Sequence, residues 1–364
     1  MKGICNRRRV PTLCSLALLT IAWTGCDAAE PGPPSATPSD TAAGLPSPSS
    51  PQAFTPRNAG TYRNPILGRN APDPAVLRGA DGAFYVFTTQ SVHAGRLIHV
   101  PVLRSVDMVH WRFVGDALPT LPAWADAEGD TWAPHVQPID GTYVLYFSSR
   151  DLASGAMQIG AATSDTPSGP FTPLEAPLVD AAFERIDPQV MESRDGLFLY
   201  WSQLNTVRVA RLSPNGTRVI GPTDTILSPI GREGTGYDSV VEGAWATEHD
   251  RWVYLFYSGD VCCGPDAHYA VMVARARSPR GPFERFDGNP VVELNDAFTA
   301  PGHGSVYTAS DGRRWLLYHA MPRGGDGETR VLMLDVLEWR RGWPVVNDGA
   351  GPSSEVRPAP RVTP

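Results

Sequence analysis

Apolar and polar positions along this chain fall into a pattern that returns five times. The copies are DPAVLRGADGAFYVFTT from Asp73, APHVQPIDGTYVLYFSS from Ala133, DPQVMESRDGLFLYWSQ from Asp187, EGAWATEHDRWVYLFYS from Glu242 and HGSVYTASDGRRWLLYH from His303. Each opens with a small or charged residue and reaches Val or Trp three positions later, at Val76, Val136, Val190, Trp245 and Val306. Four then turn at Asp81-Gly82, Asp140-Gly141, Asp195-Gly196 or Asp311-Gly312, whereas the copy from Glu242 has His249-Asp250-Arg251. All close on an apolar, aromatic-rich run. Two runs of strand formers about such a turn predict a β-hairpin.

The copies start 54 to 61 residues apart, too far for a lone hairpin and right for a four-stranded unit with loops. A strand-rich repeat of this size predicts the blades of a propeller, here a five-bladed β-propeller and an all-β fold. A second echo agrees with that count: SDTPSGPF ends at Phe171 and RSPRGPF at Phe283, two blade lengths apart. Asp-Pro and Asp-Gly pairs are ordinary turn punctuation when they occur singly. Five in register are not. In a propeller the first strand of each blade lines the central channel, so the opening positions of the copies should converge on one mouth. Asp73, Asp187, Glu242 and His303 would then meet in a funnel.

The ends of the chain add a destination. Arg7, Arg8 and Arg9 precede an apolar run from Leu13 to Trp23 that is too short to span a membrane as a permanent helix, so residues 1–26 read as an export signal. The run ends at Trp23-Thr24-Gly25-Cys26, which resembles a bacterial lipobox, although Trp23 stands where that motif usually has Leu. Cys26 is therefore a candidate lipidation site, with a secreted, extracellular protein as the alternative. Residues 27–57 are rich in Pro, Ser, Ala and Thr and lack a hydrophobic period, which predicts a flexible spacer. The propeller is assigned to residues 58–352, and residues 353–364 read as a tail.

The 364 residues carry a net charge of -7 and no basic stripe, which argues against nucleic acid as a partner. Membrane contact is expected only through the N-terminal anchor, and the chain is expected to act as a monomer. Of five cysteines, Cys5, Cys14 and Cys26 fall in the signal, leaving Cys262 and Cys263 in the globular part. In an oxidising compartment these neighbours have only each other as intramolecular partners, so a vicinal disulfide is expected; two reduced buried thiols are the alternative.

Three carboxyl groups in an aromatic-flanked funnel suit glycoside hydrolysis. One must carry a proton for the leaving oxygen, and another must be ionised to activate water or attack. Crowding in a partly desolvated mouth raises at least one carboxyl pKa and supplies the acid. Trp132 and Trp245 stand beside the converging positions and are candidate stacking platforms for sugar faces, with blade packing as the alternative for each.

At these residues the chain resembles glycoside hydrolase family 43, from roughly Tyr62 to Asn347. The resemblance rests on RNPILGRNAPDPAV, TWAPHV, RIDPQV, VEGAW, FYSGDVCC, APGHGSV and TRVLMLDVLEWRRGWPVV, in that order. It implies an inverting hydrolase of arabinose- and xylose-containing plant cell-wall polysaccharides or oligosaccharides. Asp73 would be the general base, Glu242 the general acid and Asp187 the residue that raises and orients that acid. His303 would reach a central calcium or similar cation through water, and Pro301, Gly302 and Gly304 leave room for one. Hard cations prefer oxygen ligands, which suits a water-mediated contact. Arg330 matches an arginine that contacts sugar hydroxyls, although Thr329-Arg330-Val331 departs from the commoner Gly-Arg-Glu wording.

Within that family, a lone propeller and the Cys262-Cys263 pair resemble arabinan-cleaving members, so an α-L-arabinofuranosidase or arabinanase is expected. A β-xylosidase is the alternative, many of which carry a further C-terminal sandwich. A related propeller family of fructan- and sucrose-cleaving enzymes calls for Arg-Asp-Pro and Glu-Cys, whereas this chain has Arg185-Ile186-Asp187-Pro188 and Glu242-Gly243. A non-catalytic carbohydrate-binding propeller would be expected to have lost one of the three acids.

Overall fold

The computed structural model describes residues 60–179, 183–231 and 236–362. The proposed signal, the spacer and Cys26 lie outside them. Five four-stranded antiparallel sheets, each in sequential strand order, form the blades among the described residues. Their first and second strands are Ala75–Arg78 and Phe84–Phe87 in blade I, Thr131–Ile139 and Thr142–Arg150 in II, and Ile186–Ser193 and Gly196–Gln203 in III. In blades IV and V they are Glu242–His249 with Trp252–Val261, and Phe298–Thr308 with Arg314–Pro322. The first strands touch in a closed ring, I to II and onward to V and back to I. Two short 3-10 turns are the only helical elements among the described residues. The hairpin without glycine turns on Asp250 and Arg251, both left-handed at φ 46° and 64°.

Each blade interface has its own apolar core, and this explains the unbroken apolar runs. On the second strand of blade I, Phe84 and Val86 face blade V while Tyr85 and Phe87 face blade II. The same alternation sends Phe198 and Tyr200 of blade III toward blade IV, and Leu199 and Trp201 toward blade II. Such strands are buried on both faces, so the polar-out half of an ordinary strand pattern disappears. Burying one such side chain stabilises by about 1.5–3 kcal/mol.

The ring is closed by the ends of the domain, and here the assignment of a tail is corrected. Thr61 and Tyr62 pair with Pro358 and Arg357. Asn64 Nδ2 donates to Leu334 O (2.8 Å) and to Ser353 Oγ (3.0 Å), and Asn64 Oδ1 accepts the Leu334 N–H (2.9 Å). Ser353 is fully buried, and Ala359 belongs to the core between blades V and I. The described residues after Pro352 are therefore part of the propeller. A Pro- and Ser-rich segment looks like a tail in sequence because its partners lie at the other end of the chain.

Candidate active site

The mouth is built from a backbone kink repeated in all five blades. Asp73, Ala133, Asp187, Gly243 and His303 all adopt left-handed φ, at 54°, 45°, 60°, 60° and 37°. In blades II to V the ladder between first and second strands is interrupted there, for example between Trp132 and His135 and between Glu242 and Trp245. Such a bulge re-aims a side chain out of the strand's regular alternation. Non-glycine residues in this region cost energy and cluster at functional sites.

The pairing corrects the fourth repeat by one residue. Trp132, Ile186 and Glu242 face Ser148, Ser202 and Ser258 across their hairpins, so Glu242 is equivalent to Trp132 and Ile186. Gly243, not Glu242, occupies the position of Asp73, Asp187 and His303. A Cβ on Gly243 would come within 3.0 Å of the His303 ring, at a φ that L side chains rarely adopt. The Glu242 carboxyl therefore joins the funnel from the neighbouring position of the same bulge.

Hydrogen bonds between blades fix the kinks. The Ala133 N–H donates to Thr89 Oγ1 (2.8 Å), Asp187 N–H to Ser148 Oγ (3.0 Å) and His303 N–H to Ser258 Oγ (2.8 Å). Gly243 N–H donates to Asp187 Oδ2 (3.0 Å), which also accepts from Ser202 Oγ (3.2 Å). Between blades V and I, Asp73 N–H donates to His319 Nδ1 (3.1 Å). Sequence reasoning missed this second ring. Its signal was present, since a hydroxyl residue or His stands at the last or next-to-last position of every repeat.

Asp73 is 9 % exposed, and its Oδ1 is paired with Arg330 Nη1 (3.0 Å) and His303 Nδ1 (3.3 Å). Thr89 Oγ1 donates to its Oδ2 at 2.5 Å. Burial alone would raise this carboxyl, but Arg330 and His303 outweigh it and hold Asp73 well below the usual range. Glu242 is pushed the other way, to about 7, first by burial and then by the Asp187 charge; a hydrogen bond from Tyr269 Oη to Oε1 (2.8 Å) partly opposes this. Asp187 is itself raised by burial. His303 would be lowered by burial, yet Asp187, Asp73 and Glu242 lift it to about 9, so it is an imidazolium near neutrality.

The structure places the other sequence candidates as follows. Arg330 is the ion-pair partner of Asp73. Trp132 shares the position of Glu242 at the rim and is only partly buried, as a platform requires. Trp245 lies three residues further from the mouth. Its ring meets His135 of blade II edge-on at 5.1 Å and packs on the core between blades IV and V. Blades II and IV are not neighbours, so this contact crosses the channel, and Trp245, like Trp132, is partly buried. Cys262 and Cys263 are joined to each other, and Cys262 packs beside Tyr269.

Comparison with known proteins agrees with this geometry. Residues 62–344 match the glycosyl hydrolases family 43. The chain belongs to that family. This family 43 protein is a glycoside hydrolase. It is 26% identical over 303 residues to arabinan endo-1,5-α-L-arabinosidase A of Aspergillus niger, covering 75% of this chain and 90% of the relative. The crystal structure of a thermostable family-43 glycoside hydrolase superposes with a TM-score of 0.72 at 26% identity, covering 83% of this chain and all of that one. Xylan β-1,4-xylosidase of Bacillus halodurans shares the fold (TM-score 0.67, 22% identity), with 83% of this chain matched to 60% of that one. Among the described residues, no helix of this family 43 enzyme is long and apolar enough to cross a membrane.

Proposed function

We propose that the enzyme cleaves α-L-arabinofuranosyl linkages of arabinan or related arabinose-containing oligosaccharides, with inversion, using Glu242 as general acid and Asp73 as general base. The observation that carries the mechanism is the opposite surroundings of two carboxyls in one mouth, Asp73 being paired with Arg330 and His303 whereas Glu242 has the Asp187 carboxyl and the neutral Tyr269 phenol beside it. Glu242 retains a proton near neutral pH, whereas Asp73 is ionised. Divergent pKa values in one site are what separate acid from base. In the step itself, Asp73 accepts a proton from water as that water attacks the anomeric carbon. The glycosidic C–O bond breaks, and Glu242 protonates the departing oxygen. Asp187 holds Glu242 protonated by its charge and fixes the bulge beside it through Gly243 N–H. The arabinose assignment is supported by the arabinanase relative, which matches nearly end to end. Product release from arabino- and xylo-oligosaccharides, with anomeric configuration followed by NMR, tests both parts. Release of xylose alone would favour the β-xylosidase reading, and a product of retained configuration would sink the single-displacement mechanism.

Among the described residues, no three acid, His or Cys side chains group into a metal site. One partly exposed imidazole at the mouth fits an ion that keeps its own water, not one stripped of it. To hold a hydrated divalent cation His303 would have to give up its imidazolium proton, and the cation, when bound, would replace that positive charge near Asp73 and favour its ionised form. Chelation with verified metal removal is expected to lower activity and melting temperature, with recovery on readdition. If both are unchanged, His303 serves Asp73 by its ion pair alone. Export with a lipid at Cys26 is proposed from the N-terminal sequence; Cys26→Ser should move the protein from the membrane fraction to the medium, and unaltered fractionation would remove the anchor.

A further inference from the structure

Two buried rings that the acid–base chemistry does not itself use stand between the acid and the base. Tyr269 is 1% exposed and donates its hydroxyl to Glu242 Oε1 (2.8 Å). His319 is fully buried and accepts the Asp73 N–H at Nδ1 (3.1 Å). Their rings are parallel within 5°, with centroids 6.0 Å apart. Gly302 pairs with His319 across the hairpin of blade V, and a Cβ on Gly302 would fall 2.0 Å from Cδ1 of Tyr269. That glycine has no left-handed φ to require it, so it is there for space. Ala300, Met321, Cys262 and Ala267 close around the phenol.

The choice of histidine needs a reason. Elsewhere in the ring a hydroxyl accepts the kinked N–H, or Asp187 does so with Ser202 behind it. His319 is held neutral by burial and by the Arg330 charge. Because Nδ1 accepts from Asp73, the ring proton sits on Nε2, which is buried and has no hydrogen-bond partner among the described residues. An unsatisfied buried donor is destabilising, and a serine would avoid it. A serine would not reach Tyr269. We infer that Tyr269 and His319 act together as a strut, positioning residues that set the spacing of Glu242 against Asp73. This rests on the roles proposed above for those two carboxyls. Inversion needs room for one water between base and sugar, so the spacing is a catalytic quantity.

The strut also tunes the acid. Glu242 is faced by Tyr269 from the third strand of blade IV, by Asp187 from blade III, by His303 from blade V and by Asp73 from blade I. The phenol is the one neutral donor among these, and a donor to the carboxylate favours its ionised form. Removing it should raise the Glu242 pKa. The isosteric Tyr269→Phe is therefore expected to move the alkaline limb of the kcat profile up by about one pH unit and to lower kcat about 10-fold, with KM within about 2-fold. His319→Leu should lower kcat by a similar factor. His319→Asn should recover only part of it, because Asn Oδ1 can stand where Nδ1 accepts the Asp73 N–H but the amide is too short to meet Tyr269 as the imidazole ring does, and full recovery would reduce His319 to an acceptor and remove the strut. Adding Tyr269→Phe to His319→Leu should cost little more than the worse single change, as coupled parts of one unit do. If His319→Leu fails to fold, Tyr269→Phe and His319→Asn still decide the matter. An unmoved limb with kcat within 2-fold in Tyr269→Phe, while Glu242→Gln has lost activity on unactivated glycosides, removes the strut and leaves the acid in place. If Glu242→Gln keeps full activity there, the acid assignment falls and the strut with it.

Discussion

Asp73→Asn is expected to lower kcat by roughly 10³- to 10⁴-fold on every glycoside, because the proposed acceptor of the water proton is gone whatever the leaving group. Glu242→Gln should cost about 10²- to 10⁴-fold on natural linkages but far less on nitrophenyl glycosides, whose leaving group needs no proton. The asymmetry follows from the mouth's electrostatics. Arg330 and His303 keep Asp73 charged, so its amide replacement cannot act as a base. Glu242 keeps a near-neutral pKa in a desolvated site, so its loss removes only a proton donor. Parallel kinetics on both substrate types decide the matter. Equal losses on the activated substrate would mean that the two roles are misassigned.

Asp187→Asn should shift the alkaline limb of the kcat profile toward lower pH, the reverse of Tyr269→Phe. The reasoning is one of sign. A negative charge beside Glu242 disfavours its ionisation, so neutralising Asp187 lowers the Glu242 pKa from about 7, although burial still holds it above an exposed glutamate. A drop of about one unit would cut the protonated fraction at pH 7 from about one half to about one tenth. Further loss comes from the bulge, where Gly243 N–H and Ser202 Oγ share Asp187 Oδ2. The amide oxygen of Asn can still accept both, so the fold should survive and the total loss should be about 10- to 100-fold at pH 7. A limb that stays in place would show that burial alone sets the acid.

The repeat was legible because its causes are local. Turns at Asp140-Gly141 and Asp311-Gly312 lie inside single hairpins, and strands such as Tyr143–Phe147 are apolar throughout because both faces are covered by adjacent blades. Asp73, Asp187 and His303 could be aligned by eye because each opens its repeat and takes the same left-handed kink. Glu242 aligned one residue off because that kink falls on Gly243, which has no side chain to announce it. Tyr269 carries no sequence mark at all. It lies mid-strand in an apolar run, where a tyrosine reads as core.

By itself, then, the sequence determined the number of blades and the hairpin that opens each, and it offered the three acids as candidates, since each depends on residues close together in the chain. Which group answers which was decided only in three dimensions. Arg330 and His319 reach Asp73 from 257 and 246 residues away, and residues after Pro352 become part of the fold by pairing with Thr61 and Tyr62, by bonding Asn64 and by packing Ala359 into the core. Trp245 meets His135 of blade II across the channel, a contact between repeats that are not adjacent. Closing a ring brings the two ends of a chain together, and no local pattern of residues encodes what will then stand opposite. The protonation states that divide acid from base arise there, from burial and from charges contributed by different blades.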